Sequence, residues 1–125
     1  MRCNGIGTTQ LHFVHWNTSL YNDPTIALTK PNGLAVVAIF IDIGYQLNDG
    51  LERILKQIEN IKYKGDKHLI EESIDIEKLM PKNRSYWTYN GSLTTPPLFE
   101  SVTWIIYTTP IYGQHEQVSF IRQVD

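Results

Sequence analysis

Two histidines near the start of the chain belong to the residue type most often used in metal and proton chemistry. His12 and His15 stand three positions apart in a stretch rich in aromatic and β-branched residues. A neutral imidazole binds zinc, and a charged one carries a proton near pH 7. Successive strand side chains point to opposite faces, so these two cannot ligate one metal from a straight strand. A structural role in an apolar core is the alternative for each, since the chain has no H-x-H, HExxH or GxGxxG motif.

A second stretch combines hydroxyl groups with a stiff backbone. The sequence Ser-Leu-Thr-Thr-Pro-Pro occupies residues 92–97 and separates two strand-like segments. An X-Pro peptide bond can be cis, which fixes a tight turn. Two interpretations stay open from the residues alone. The stretch is either a rigid connection between strands or a loop that presents a threonine hydroxyl and a backbone N–H to a small ligand.

The elements that must position these residues are mainly strands. Runs of β-branched and aromatic residues predict strands, and apolar residues spaced i, i+3, i+4 and i+7 predict an amphipathic helix capped by Asn48 or Asp49. Met1–Thr9 shows neither pattern. The predicted strands are Leu11–Trp16, Leu34–Ile43, Ser85–Tyr89 and Glu100–Tyr107, with a short one at Ile74–Ile76, and the predicted helices are Asn48–Lys62 and His115–Arg122. Helices between successive strands are scarce, so the predicted fold class is α+β and mainly β.

Composition excludes several classes of protein. A length of 125 residues corresponds to one ordinary domain at most. The formal net charge of −2 argues against an electrostatic nucleic-acid binder. The longest apolar run, Leu34–Ile41, has eight residues, whereas a membrane-spanning helix needs roughly 20. Cys3 is the single cysteine, so neither an internal disulfide nor a zinc knuckle built on several thiolates is possible.

Four blocks of the sequence resemble the α-class carbonic anhydrases. They are QLHFVHWN at residues 10–17, PNGLAV at 31–36, YWTYNGSLTTPP at 86–97 and ESVTWII at 100–106. The blocks stand in the family's order at near-family spacing, and the resemblance extends from Gln10 to Gln123. It divides the chain into a non-family segment, 1–9, and a partial α-carbonic anhydrase domain, 10–125. The implied fold is a fragment of the family's central twisted sheet with a few peripheral helices.

The resemblance implies zinc as cofactor and carbon dioxide and bicarbonate as substrate and product. The family holds zinc with three histidines, and His12 matches the third of them. Gln10 stands where the family usually has a glutamate that supports this ligand. Thr94 matches the threonine that accepts a hydrogen bond from the zinc-bound hydroxide, and its backbone N–H contacts bound anions. His15 matches a buried histidine, and Pro96-Pro97 matches a cis peptide. The residues that match the pocket wall are Val14, Val36, Leu93, Thr95, Val102 and Trp104.

The departures from the family pattern concern the rest of the zinc site. The resemblance does not include the H-x-H pair, the glutamate that orients the threonine hydroxyl, the proton-shuttling histidine or the C-terminal strand. We therefore expect a truncated chain, covering less than half of the family domain, that is inactive alone although the complete domain is an enzyme. The alternative is a non-catalytic carbonic anhydrase-related binding module. A third possibility is a product that does not fold.

Location and association are expectations of the same kind. Leu98 stands where secreted family members usually carry a cysteine, which predicts a cytoplasmic protein. Secretion is the alternative, because Asn17, Asn83 and Asn90 begin formal glycosylation sequons. A domain cut through its sheet exposes strand edges that associate, and Leu34–Ile43 is the predicted point of association. The sequence does not give the oligomeric state.

Overall fold

The runs of β-branched and aromatic residues form a mixed sheet, and the chain has few helices. A computed structural model describes residues 2–4, 8–58 and 75–124. The strands are β1 Arg2–Asn4, β2 Thr8–Trp16, β3 Leu34–Ile43, β4 Tyr86–Gly91, β5 Val102–Tyr107 and β6 Ile111–Gly113. The helices are α1 Pro24–Ala27, α2 Asp49–Ile58 and α3 His115–Val124, with a 3₁₀ helix at Ile76–Leu79. The predicted α+β, mainly-β fold class is confirmed.

The strands are hydrogen-bonded in the order β1-β2-β3-β5-β4, and β6 also pairs with β3. β3 is parallel to β5 along its first half and parallel to β6 along its last three residues. β4 is antiparallel to β5, and β1 is antiparallel to β2. Because β3 has neighbours on both sides, the run of β-branched residues in it is paired inside the sheet. Among the described residues, β4 has β5 as its single strand neighbour.

Contacts within the chain define two units, each with its own core. The first comprises Met1–Leu11, Ile39–Arg84 and Thr109–Asp125. In its described part, the apolar face of α2 is buried together with the apolar face of α3 and the end of β3. The buried side chains of this unit include Ile41, Leu51, Ile54, Leu55, Leu79, Ile111, Val118 and Ile121.

Gln117 ties the start of α2 to the start of α3 in this unit. Its side chain is only 4% exposed. Its Oε1 accepts hydrogen bonds from the backbone N–H groups of Asn48 (3.1 Å) and Gln114 (3.0 Å). Its Nε2 donates to the Asn48 carbonyl and to Glu52 Oε2, both at 3.0 Å. Asn48 Oδ1 accepts from the N–H of Leu51 at 3.0 Å, so Asn48 caps α2 and one buried amide holds the cap in place.

The second unit comprises His12–Ala38 and Ser85–Thr108. Its core lies on one face of the sheet, where the β3–β5 register sets residues of the two strands side by side. The buried cluster consists of Leu34, Val36, Ala38, Val102 and Trp104, with Trp16, Leu93 and Ile106 packed against it. The turn before β3 is closed by Gly33, where a Cβ would lie 1.7 Å from the Ala27 carbonyl oxygen. Only glycine fits there.

Several element predictions are confirmed, and the structure departs from the sequence pattern in two stretches. β3 has the predicted bounds, and α2 begins at Asp49 with Asn48 as its cap, one of the two caps predicted. The last four residues of this predicted helix lie outside the described residues. Met1–Thr9 shows no strand pattern in the sequence, yet β1 forms and β2 begins at Thr8, because β1 pairs through its backbone with β2. The strand predicted at Ile74–Ile76 is wrong in its described part. There Asp75 caps a 3₁₀ helix by accepting the Glu77 N–H.

Candidate functional site

The candidate site is built on the face of the second unit's sheet that carries its core, which we call the site face. Val36 lies directly beside Trp104, and Leu34 lies beside Val102, in the parallel β3–β5 register. Side chains at paired positions of neighbouring strands point to the same face. Val36, Val102 and Trp104 are therefore neighbours on one surface, and each is less than 9% exposed. Three of the predicted pocket residues form a continuous apolar wall.

His12 meets this wall through Trp104. The two ring centroids are 5.3 Å apart, with an interplanar angle of 70°, so the rings pack edge to face. Val14 and Trp16 follow His12 at a period of two and share its face of β2. Trp16 packs against the buried cluster, whereas Val14 is 63% exposed. The strand thus brings His12 to the wall and leaves Val14 at the solvent-facing part of the same face.

The indole of Trp104 also fixes the loop that follows β4. Its Nε1 donates a hydrogen bond to the Ser92 carbonyl at 3.1 Å. Gly91 lies against the same ring, and a Cβ there would come within 2.9 Å of Trp104 Cδ1. The next residue in the loop, Leu93, packs against the buried cluster. The side chain of Trp104 therefore contacts both the His12 ring and the start of the loop that carries the threonines.

The loop that carries Thr94 and Thr95 is closed by its own backbone. The Leu93 N–H donates to the Phe99 carbonyl, and the Leu98 N–H donates to the Thr95 carbonyl, both at 3.0 Å. The Pro96–Pro97 peptide is cis, as the resemblance implies. Thr94 and Thr95 are exposed at the tip of this loop. The loop is thus closed by backbone hydrogen bonds and leaves both hydroxyl-bearing residues exposed to solvent.

Two predicted positions differ in their surroundings from the rest. His15 was expected to be buried, but it is exposed, because its side of β2 is open to solvent at that point. Gln10 is half-buried and lies two residues before His12 in β2.

The described residues do not contain a complete set of metal ligands. Within residues 2–4, 8–58 and 75–124, no three His, Cys, Asp or Glu side chains come together in a way that could hold a metal ion. A tetrahedral zinc site needs three protein ligands and an open position, and the site face supplies one imidazole. The donor set in the described part of the chain therefore does not fit zinc without further ligands.

Two surface carboxylates among the described residues have a shifted pKa. A side-chain hydrogen bond and a backbone hydrogen bond from Thr25 lower the pKa of Asp23, which caps α1. The hydrogen bond and charge of Arg84 lower the pKa of Glu77. Both carboxylates are on the surface, so these shifts report local caps and pairs rather than a catalytic group.

Comparison with known proteins identifies the family. The profile of eukaryotic-type carbonic anhydrase matches residues 7–125. The chain belongs to this carbonic anhydrase family. It is 44% identical over 117 residues to carbonic anhydrase 1 of Monodelphis domestica, which covers 94% of this chain and 44% of the relative. It is 40% identical over 117 residues to carbonic anhydrase 1 of Oryctolagus cuniculus, covering 94% and 49%. It is 42% identical over 113 residues to mitochondrial carbonic anhydrase 5A of Rattus norvegicus, covering 90% and 36%.

The carbonic anhydrase match has a defined extent. The chain spans less than half of the length of these curated relatives. The boundary between 1–9 and 10–125 stays a prediction. In the described part of the chain, none of the helices has the length and hydrophobicity needed to cross a bilayer.

Sequence reasoning named the site residues but missed how they are held together. The His12–Trp104 ring contact and the Trp104–Ser92 hydrogen bond depend on the pairing of β3 with β5, which are far apart in the chain. The period-two pattern of β2 places Val14 on the same face as His12 and Trp16, and it does not indicate that Val14 is exposed. One signal in the sequence could have indicated the Trp104–Ser92 hydrogen bond. The indole N–H of Trp104 is a donor that needs a partner when the side chain is buried.

Proposed function

We propose that this chain supplies one wall of a zinc-dependent carbonic anhydrase site, which hydrates carbon dioxide reversibly to bicarbonate in the complete domain. In this proposal His12 is a zinc ligand, Gln10 is the residue that supports it, and Thr94 is the hydrogen-bond partner of the nucleophile. The residues proposed to contact substrate are Val14, Val36, Leu93, Thr94, Thr95, Val102 and Trp104. The observation that carries the proposal is the edge-to-face contact of His12 with Trp104 on the site face.

The chemistry of the site face suits this substrate. Carbon dioxide carries no net charge, and an apolar wall suits it. The wall of Val36, Val102 and Trp104 contains no group that gains or loses a proton. An imidazole beside that wall places a metal ligand next to the bound molecule. The closed loop supplies the hydroxyl of Thr94 from a backbone that Leu93 anchors in the core. Each group of the proposed site thus stands on a strand or on a loop tied to one.

We also propose that the chain alone does not hydrate carbon dioxide. One histidine cannot hold zinc in the tetrahedral geometry that ionises its bound water near pH 7. The remaining ligands in this proposal belong to a complete domain. A non-catalytic binding module is the second candidate, favoured by the combination of an intact apolar wall with one ligand among the described residues.

The test compares zinc content and activity in two proteins. The chain by itself is assayed by stopped-flow carbon dioxide hydration with added zinc and with a sulfonamide inhibitor. The same chain is then placed in a complete domain, where the wild type is expected to bind zinc and to be active. His12→Ala is expected to lose both, whereas the matched control His15→Ala, at an exposed position of β2, keeps both.

Three outcomes contradict parts of the proposal. Zinc-dependent, sulfonamide-sensitive activity of the chain alone overturns the proposed inactivity. Full zinc occupancy of the His12→Ala domain overturns the assignment of the ligand. A complete domain that binds neither zinc nor inhibitor supports the binding module instead.

The proposed location is the cytoplasm. The argument rests on Leu98, at the position where secreted members carry cysteine, and on the single cysteine of the chain. One relative is named as mitochondrial. Cell fractionation with compartment markers tests the proposal, and recovery of the protein from mitochondria or from the secreted fraction contradicts it.

A further inference from the structure

The loop that carries Thr94 contains a backbone conformation that its residue type disfavours. Leu98 has a φ of 60°, in the left-handed region. A Cβ destabilises this region, so glycine occupies it most often, followed by Asn and Asp, whose short polar side chains bond locally. Among the described residues, the other non-glycine residue with a positive φ is Asn32, at 55°. Asn32 is of a type that tolerates the conformation, whereas Leu98 must be held in it by the surrounding structure.

Two backbone hydrogen bonds hold Leu98 in this conformation. The Leu98 N–H donates to the Thr95 carbonyl at 3.0 Å, and the carbonyl of the next residue, Phe99, accepts from the Leu93 N–H at 3.0 Å. Rotation about φ of Leu98 moves the second bond relative to the first. A negative φ would redirect the chain after Leu98, so that the two bonds would not form together. The left-handed conformation of one residue therefore closes the loop.

Thr94 lies in the chain between the donor of the second bond, Leu93, and the acceptor of the first. The structure anchors this side of the loop through Leu93, which packs against the buried cluster, and through the Ser92 carbonyl, which accepts from Trp104 Nε1 at 3.1 Å. The returning side of the loop is joined to this anchor by the Leu93–Phe99 bond, whose geometry Leu98 sets. The position of Thr94 relative to the site face thus depends on both sides.

We propose that Leu98 is a positioning residue for Thr94 and that it acts through its left-handed backbone rather than through its side chain. This inference rests on the proposed function, in which Thr94 is the hydrogen-bond partner of the nucleophile. Strained backbone persists where the surrounding contacts over-determine it, and it is concentrated in segments that present a functional group in one orientation. Leu98 holds the loop closed, so the Thr94 hydroxyl is presented from a fixed backbone.

Three substitutions separate a backbone role from a side-chain role. Leu98→Asn replaces the apolar side chain by a polar one and tolerates the left-handed region. Leu98→Gly removes the side chain and its Cβ, and glycine enters this region freely. Leu98→Val keeps an apolar side chain, but a branched Cβ makes the left-handed region a true outlier. A packing role predicts that the valine variant is closest to wild type, and our proposal predicts the reverse order.

Amide hydrogen exchange of the full chain measures the closure of the loop. The probe is the Leu93 N–H, because it donates to the Phe99 carbonyl and its chemical exchange rate does not depend on residue 98. We expect exchange about tenfold faster in Leu98→Val than in wild type, and within about threefold of wild type in the asparagine and glycine variants. The reference is the Asn17 N–H, which donates to the Gly33 carbonyl at 2.8 Å in the same unit. Its exchange should be the same in all four proteins.

Several results of this experiment would overturn the role of Leu98. They are a Leu93 N–H that is unprotected in the wild type, a valine variant that exchanges like the wild type, and an asparagine or glycine variant that exchanges as fast as the valine variant. An equal acceleration at Leu93 and Asn17 in the valine variant also overturns it, because the loss would then be general rather than confined to the loop.

Activity in the complete domain tests the consequence for Thr94. The Thr94 hydroxyl acts on the nucleophile and does not hold the metal, so Leu98→Val should contain as much zinc as Leu98→Asn. Its kcat/KM should be about tenfold lower than that of the asparagine variant. Equal kcat/KM values overturn the positioning of Thr94. A wild-type domain without zinc contradicts the proposed function instead, and the exchange of the Leu93 N–H then still decides whether Leu98 closes the loop.

Discussion

Replacing Gln117 by glutamate changes one buried atom and should cost the first unit much of its stability. Gln117→Glu preserves the shape of the side chain and an oxygen to accept from the N–H groups of Asn48 and Gln114. It removes the Nε2 donor that bonds the Asn48 carbonyl and the Glu52 carboxylate, both at 3.0 Å. At neutral pH the new carboxylate faces Glu52 at hydrogen-bond distance. Two lost hydrogen bonds and a buried like-charge contact predict about 2–4 kcal/mol lower free energy of unfolding.

The loss has a defined pH dependence. Burial and the neighbouring Glu52 raise the pKa of the introduced carboxyl in the folded state above its value in the unfolded chain. The folded variant then binds more protons than the unfolded one, so its stability falls as pH rises through this range. Below the unfolded pKa, the protonated carboxyl again donates a hydrogen bond. The deficit relative to wild type should therefore be largest at pH 7 and should shrink towards pH 4.

Urea unfolding followed by far-ultraviolet circular dichroism at these two pH values measures the deficit. The matched control is Gln46→Glu, which adds the same charge at an exposed loop position. We expect the control to stay within about 0.5 kcal/mol of wild type. A Gln117→Glu protein as stable as the control at pH 7, or a deficit that does not change with pH, would refute the reasoning.

Three further predictions concern the site and a cap. In a complete domain, Gln10→Glu should slow zinc release by about 10–100-fold, because a carboxylate supports a ligand imidazole better than an amide does, and equal off-rates would contradict this. Trp104→Phe deletes the donor to the Ser92 carbonyl and should cost about 1–2 kcal/mol; thermal denaturation should show a loss that the exposed control Trp87→Phe does not. Asp23→Asn should lower the melting temperature at pH 7 but not in acid, because the lowered pKa of Asp23 means that its stabilisation is lost as pH falls through the folded pKa.

Local patterns in the sequence were sufficient for the elements whose residues carry their own signal. The β-branched run at Leu34–Ile43 needs a position inside a sheet, and it has one. The helical spacing after Asn48 needs a capped start, and Asn48 supplies the cap. β1 could not be predicted, because three residues paired through their backbone leave no mark in side-chain pattern.

The candidate site shows the same division. The resemblance named His12, Trp104 and the threonine loop, and the alternation of β2 predicted which residues share a face with His12. The contact between His12 and Trp104 depends on β5, rather than the sequence neighbour β4, lying beside β3. The solvent exposure of individual side chains could not be predicted either, since it depends on which other elements cover a face of the sheet. His15 shows this, because it is exposed although Leu11, on the same face of β2, is buried.

The parallel pairing of β3 with β5 has a consequence for synthesis on the ribosome. Sixty-eight residues separate Leu34 from its partner Val102. At the usual translation rate of about 5–20 residues per second, β3 emerges roughly 3–14 s before that partner exists. β2 precedes β3 in the chain and can pair with it at once, but the other edge of this apolar strand must wait. The nascent chain therefore exposes an apolar strand with one unpaired edge for seconds. Chaperones that bind extended apolar segments recognise this kind of segment.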